Sequence, residues 1–134
     1  MNIVIVGSTS IGVSLAKELA EEGHEVTIIS EDQDKLHSLQ NSLDIRTVYG
    51  KPSYPDVLKI ANTEDADIFI AVTDSDEKNM IACQVAYSLF KVPLKIAKIR
   101  SSHYFVRNEL FSDQNLPIDV FINPEQLIAK HVYD

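Results

Sequence analysis

One stretch, MNIVIVGSTSIG at Met1 to Gly12, constrains what this chain can fold into more than any other. Asn2 to Val6 lack the polar alternation of a strand with one wet face, so they read as a strand buried on both faces of a parallel sheet. Gly7 turns the chain, and Ile11, Leu15 and Leu19 then recur at helical spacing, with Gly12 just inside the helix. Strand, glycine turn and helix in that order form a dinucleotide-binding layout, in which amides at a helix N-terminus face a phosphate. The middle glycine of Gly-x-Gly-x-x-Gly is missing, because position 9 is threonine.

The rest of the chain repeats the strand-and-helix alternation. Glu25 to Ile29, Ile45 to Tyr49, Asp67 to Val72, Leu94 to Ile99 and Val120 to Ile122 read as five further strands. Between them, helical patterns carry Leu36, Leu39 and Leu43, then Val57, Leu58 and Ala61, then a long segment opened by Thr73-Asp74-Ser75-Asp76-Glu77 and running through Phe90. Ser101 and Ser102 are expected to open a helix through Phe111, and Pro124 to start a last helix that the chain end at Asp134 truncates. Such alternation requires parallel strands joined by right-handed helical crossovers, which place helices on both faces. The expected fold is α/β: a Rossmann-like, doubly wound, six-stranded parallel sheet forming one domain over residues 1–134. Ligands of such sheets sit over the carboxyl ends of the strands, at the switch point beside the first strand. Gly7 to Ile11, Ser30, Glu31, Lys51 to Ser53, Thr73, Asp74 and the region of Lys98 and Arg100 would face that crevice.

Composition narrows the function class. A formal charge of −8 argues against nucleic acid or an anionic membrane surface as the main partner, since both require clustered Lys and Arg. The apolar runs are strand-length, well below the ~20 residues of a membrane span, so no membrane insertion is expected and the chain reads as cytoplasmic. A lone cysteine, Cys83, cannot pair internally, and its apolar neighbours favour a packed thiol over a nucleophile. His24, His37, His103 and His131 show no ligand-like pairing, which disfavours a metal site. Asp74, Asp76 and Glu77 are better explained as capping and helix-dipole partners than as a cation site.

Three further segments and a short fourth carry a family resemblance: Tyr54 to Leu58, Asp65 to Phe90 (DADIFIAVTDSDEKNMIACQVAYSLF), Lys95 to Tyr104 (KIAKIRSSHY) and Asn123-Pro124-Glu125. With the opening loop they resemble the N-terminal nucleotide-binding (RCK/KTN) domains of the TrkA family of Trk potassium-uptake systems, from Met1 almost to Asp134. The resemblance implies a regulatory subunit, not an enzyme, that binds NAD or NADH, and in some members ATP or ADP, with AMP a further candidate. It also implies self-association as a dimer or ring and a membrane potassium transporter or channel as partner, at the inner face of the cell membrane.

Carried over by position, the family's nucleotide contacts fall on Gly7, Ser8, Thr9, Ser10 and Ile11, with Gly12 closing the loop, and on Ser30, Thr73, Asp74 and Lys98. Three of these depart from the family pattern. Thr9 stands where a glycine lets backbone approach the pyrophosphate, although the hydroxyls of Ser8, Thr9 and Ser10 could donate to a phosphate. Ser30 stands where an acid accepts from the ribose hydroxyls; losing such a charged partner costs roughly 1.5 to 3 kcal/mol, one to two decades in affinity. Glu31 is the adjacent substitute, and with Asp32 beside it disfavours NADP. Lys98 replaces an arginine, keeping charge but losing the planar fork that grips phosphate. The competing readings are an NAD-dependent oxidoreductase fragment, disfavoured by the lack of a placed acid or base, and a degenerate structural ring subunit that keeps the fold without the ligand.

Overall fold

The computed structural model describes residues 1–123. The helix expected from Pro124 lies outside the described residues. Six strands form one all-parallel sheet in the order β3-β2-β1-β4-β5-β6: β1 (Asn2–Val6), β2 (Glu25–Ser30), β3 (Arg46–Tyr49), β4 (Ile68–Ala71), β5 (Leu94–Lys98) and β6 (Val120–Ile122). The central strand is β1, with Val4 opposite Thr27 of β2 on one side and Phe69 of β4 on the other. Burial on both faces is why Ile3 to Val6 carry no polar residue.

Among the described residues four α-helices cover the sheet: α1 (Ser10–Glu21), α2 (Gln33–Ser42), α3 (Pro55–Ile60) and α4 (Asp76–Phe90). Alternate residues of β1 feed two separate cores. Ile3 and Ile5 pack with Ala16 of α1 and with Leu36 and Leu39 of α2; Val4 and Val6 pack with Leu58 of α3 and with Met80, Cys83 and Ala86 of α4. Each fully buried Val, Ile or Leu of this kind contributes about 1.5–3 kcal/mol. The chain reverses direction across the sheet between β3 and β4, so β1 and β4 flank the switch point.

The carboxyl ends of the strands are also where helices begin, and three of those beginnings are capped by side chains. Thr9 Oγ1 accepts from Gly12 N at 3.3 Å, Asp32 Oδ1 from Lys35 N at 3.1 Å, and Ser75 Oγ from Lys78 N at 3.2 Å. The shortest helix, α3, has no side-chain cap and starts on Pro55, whose ring fixes the backbone for a first turn.

The segment expected to be one helix from Ser101 to Phe111 is not one. It forms two short 3₁₀ turns, Ser102–Phe105 and Asn108–Leu110. Phe105, Phe111 and Phe121 meet in one cluster, with ring centroids 4.7 to 5.2 Å apart. Residues six apart on an α-helix lie about 120° apart around its axis. Bringing Phe105 and Phe111 onto the same ring therefore breaks the helix. Polar clamps hold the broken segment: Lys95, 1% exposed on β5, places Nζ 3.2 Å from Asp119 and 3.5 Å from Asp113, over the Tyr87 ring.

Candidate functional site

Where β1, β2 and β4 end, the described residues enclose a cavity of about 520 Å³, within the usual range for small-molecule sites of about 300–1,000 Å³. Its base is Gly7, Ser8 and Thr9. Ser30, Glu31, Asp32 and Pro52 form one wall, and Thr73, Asp74, Ser75 and Lys78 the other. A second cavity, about 640 Å³, lies at the opposite end of the sheet between residues such as Glu25, Arg46 and Asp65. Its position at the amino ends of the strands, away from the switch point, marks the first cavity as the candidate site.

Two glycines make the loop possible. Gly7 has φ +107°, and a Cβ there would lie 2.9 Å from Thr73 N. Gly12 packs against the loop from below, where a Cβ would sit 2.1 Å from the Gly7 carbonyl oxygen. Glycine at both positions lets α1 approach the end of β4 closely enough for Thr9 Oγ1 to donate to Val72 O at 2.8 Å. That bond decides what Thr9 can do. Its hydroxyl proton is turned back into the protein, so it is committed to the fold and not available to a phosphate, contrary to the expectation from sequence. The amides of Ser10 and Ile11, in the first turn of α1, remain as helix-end donors. Ser10 is exposed, whereas Ile11 packs its side chain against the core beneath the sheet and Gly12 is buried.

On the β2 wall, Ser30 is only 5% exposed. Its hydroxyl lies 2.7 Å from Ser8 Oγ and accepts from Asp32 N at 3.0 Å, tying the two loops together. Glu31 projects from the same turn and binds Lys78 Nζ across the crevice at 3.1 Å.

The opposite wall is built around a residue that pattern reading passed over. Asn79 is fully buried in α4; its Oδ1 accepts from Thr73 N at 2.9 Å and from Thr73 Oγ1 at 2.6 Å, and its Nδ2 donates to Lys98 O at 2.8 Å. A polar residue on the buried stripe of an otherwise apolar helix face is the signal that could have found it. Lys78, an exposed lysine in an acidic helix start, gives no such signal.

Lys98 and Arg100 do not line the cavity. Lys98 is buried, with Nζ 3.6 Å from Asp74 Oδ1, so it stands behind that residue. Arg100 borders an adjoining cleft with Asp76 and Glu77, and its backbone N donates to Asp76 Oδ1 at 2.8 Å. Lys51 lies over the Tyr54 ring, outside the lining. Asp76 and Glu77 have protein partners, the second being the Tyr104 hydroxyl, which that bond holds above its ordinary pKa. Among the described residues no cluster of three or more His, Cys, Asp or Glu side chains is arranged to hold a metal ion. Burial pushes the Cys83 thiol well above its ordinary pKa, which makes it an inert packing group.

A parallel sheet in the order 3-2-1-4-5-6, with a glycine turn and a helix N-terminus over its switch point, defines a Rossmann-type dinucleotide-binding fold. Within that class the chain belongs to the TrkA-N domain family, whose pattern matches residues 3–124. It is 50% identical over 132 residues to the Trk system potassium uptake protein TrkA of Halomonas elongata and 43% identical over 133 residues to that of Haemophilus influenzae. Each alignment covers 98% of this chain and 29% of the relative, so the chain spans less than a third of the length of these proteins. Among solved structures, the TrkA-N domain of the Escherichia coli inner membrane protein ybaL superposes with a TM-score of 0.81 over 98% of this chain and 93% of that one, at 16% identity. The GsuK channel bound to NAD superposes with a TM-score of 0.69 at 25% identity, over 77% of this chain and 18% of that one. The Shewanella denitrificans Kef CTD in its AMP-bound form gives 0.74 at 16% identity, over 98% and 77%.

Proposed function

We propose that residues 1–134 form a regulatory domain that binds an adenine nucleotide, NAD or NADH first among them and ATP, ADP or AMP as alternatives, within a potassium-uptake system. The observation that carries this reading is the crevice itself: Gly7 to Thr9 and the first turn of α1 lie over the switch point between a wall carrying Glu31 and Asp32 and one carrying Asp74 and Lys78. The fit is one of backbone and shape. A side chain at Gly7 would collide with Thr73, so glycine there lets the loop close against the end of β4, and the Ser10 and Ile11 amides beyond it would hold a pyrophosphate. Thr73 and Asp74 flank that position, and Glu31 supplies the acceptor that Ser30, buried against Ser8, does not. Membership of the TrkA-N family and the NAD carried by the GsuK channel support the same ligand class.

The domain's work is binding, with no catalytic residue assigned. A ligand shifts a two-state assembly only by its difference in affinity for the two states, so nucleotide occupancy would bias the geometry of a dimer or ring. The partner in this reading is a membrane potassium transporter subunit, engaged at the cytoplasmic face of the membrane. No described helix is long and apolar enough to cross a membrane.

Thermal unfolding with NAD, NADH, ATP, ADP and AMP tests the reading. A ligand at ~100 times its dissociation constant adds about 2.7 kcal/mol of stability, a shift readily measured. If none of the five raises the melting temperature, the domain is a structural subunit of its assembly. Turnover of NADH with small carbonyl compounds would instead make it an oxidoreductase fragment.

A further inference from the structure

An ion pair spans the mouth of the crevice, and the nucleotide fingerprint makes no use of it. Lys78 Nζ donates to Glu31 Oε2 at 3.1 Å. The partners come from opposite walls, Glu31 from the turn after β2 and Lys78 from the first turn of α4. Lys78 is also the only basic side chain among the described residues that line this cavity, set against Glu31, Asp32 and Asp74. The other nearby lysines are directed elsewhere, Lys98 at Asp74 and Lys51 at the Tyr54 ring. A phosphate brought into the cavity thus meets three carboxylates and a single ammonium.

The acidic side narrows in the same way. In dinucleotide-binding folds a carboxylate at the end of the second strand accepts from the ribose hydroxyls. Ser30 holds that position here, buried and bonded to Ser8 and to Asp32 N. The Asp32 carboxylate is engaged as the cap of α2. Glu31 remains, with its side chain 40% exposed and Lys78, at 55%, as its partner. Exposed ion pairs add little to stability because water solvates both ends nearly as well. This one can therefore be exchanged for ligand contacts without disturbing the fold.

We propose that Glu31 and Lys78 are the two nucleotide-recognition side chains of this crevice and that ligand binding replaces their ion pair. The ribose hydroxyls donate to the Glu31 carboxylate, and a phosphate oxygen accepts from the Lys78 ammonium. This rests on the nucleotide reading above and assigns its two polar roles to a pair found on no glycine-loop pattern. A ligand with both ribose and phosphate satisfies both charges. A nucleoside satisfies Glu31 alone.

Calorimetric titration of the wild-type domain and of Lys78→Met, Lys78→Arg and Glu31→Gln with ADP, NADH and adenosine tests the assignment. Lys78→Met is expected to weaken ADP and NADH about 10- to 100-fold, the size of a charge-assisted hydrogen bond, with adenosine affinity held within about 3-fold. Lys78→Arg should retain most of the ADP affinity. Glu31→Gln should weaken adenosine along with the nucleotides. Both positions are exposed, so unliganded melting temperatures close to wild type verify that the variants fold. Unchanged ADP and NADH affinity in Lys78→Met, or unchanged adenosine affinity in Glu31→Gln, would overturn the assignment, while wild-type binding keeps the nucleotide reading standing. A wild-type domain that binds none of the three overturns both.

Discussion

Asn79→Ala probes how the α4 wall of the crevice is held. The Asn79 amide makes four contacts, accepting from Thr73 N and Thr73 Oγ1 and donating to Lys98 O and, at 3.2 Å, to Thr73 O. Truncation leaves the Lys98 carbonyl without that donor inside the protein, which costs about 1–3 kcal/mol. The Thr73 groups border the crevice, where water replaces the lost amide, so their share is about 0.5–1.5 kcal/mol. The sum is a loss of about 1.5–4.5 kcal/mol, to be read from urea unfolding followed by circular dichroism with an unchanged denaturant slope.

Asn79→Asp separates geometry from hydrogen-bond polarity. It keeps the acceptor for Thr73 but turns a carboxylate oxygen toward two carbonyl oxygens. That environment and burial raise the introduced carboxyl's pKa in the folded state above its ordinary value of about 3.9. A group raised on folding favours the folded state at low pH. The variant's deficit is therefore full above the raised pKa and shrinks as the pH falls toward about 4. An Asn79→Ala loss below about 0.5 kcal/mol, or an Asn79→Asp deficit that does not change with pH, would refute this account of the wall.

Other expectations follow from the same contacts. Gly12→Ala should lose about 2 kcal/mol or more through the clash with the Gly7 carbonyl, a melting temperature lower by roughly 5–10 °C, whereas an unhindered helical site would gain up to about 1 kcal/mol. Thr9→Gly with Ser30→Asp should tighten NADH binding while lowering unliganded stability by about 1 kcal/mol, because the Thr9 cap and its bond to Val72 are lost; calorimetry and melting together check the opposed signs. Around Lys95 the two halves of the cluster should respond unequally in urea unfolding. Asp119→Ala leaves a buried ammonium poorly paired and costs about 3 kcal/mol, whereas Lys95→Met leaves only partly exposed carboxylates and costs under about 1.5 kcal/mol. Alkylation of Cys83 in the native protein at pH 8 should be slow and should track unfolding, since burial holds the thiol protonated.

Much of this fold is legible in the sequence because its signals are local. The apolar runs Ile3 to Val6 and Ile68 to Ala71 have no polar alternation, and a turning glycine (Gly7, Gly50) or a capping side chain (Thr9, Asp32, Ser75) stands within a few residues of the ends of β1 to β4. The stretch from Ser101 to Phe111 misled because its serines and apolar spacing suit a helix, while its conformation is decided by Phe121, a partner distant in sequence. The site divides along the same line. Gly7, Ser8, Thr9, Ser30, Glu31, Thr73 and Asp74 border the cavity because strand ends place them there. Lys98 ends a strand too, but its side chain lies on the buried side, where Asp74 takes the charge. The direction of the Thr9 hydroxyl depends on the end of β4, 63 residues away, and no spacing rule encodes it.

The first turn of α4 gathers contacts from both sides of the domain. Within four residues, Asp76 holds the amides of Arg100 and Ser101, Lys78 holds Glu31, and Asn79 holds Thr73 and the Lys98 carbonyl. The segments held by Asp76 and Asn79 are therefore expected to open and close together, since one helical turn anchors them both. Amide hydrogen exchange at Arg100 and Ser101 should slow when a ligand settles between Gly7 and Thr73, although neither amide borders that cavity. The crevice thus has a remote reporter on the strand-exit segment beyond β5, the part of the domain from which the chain continues toward its remaining residues.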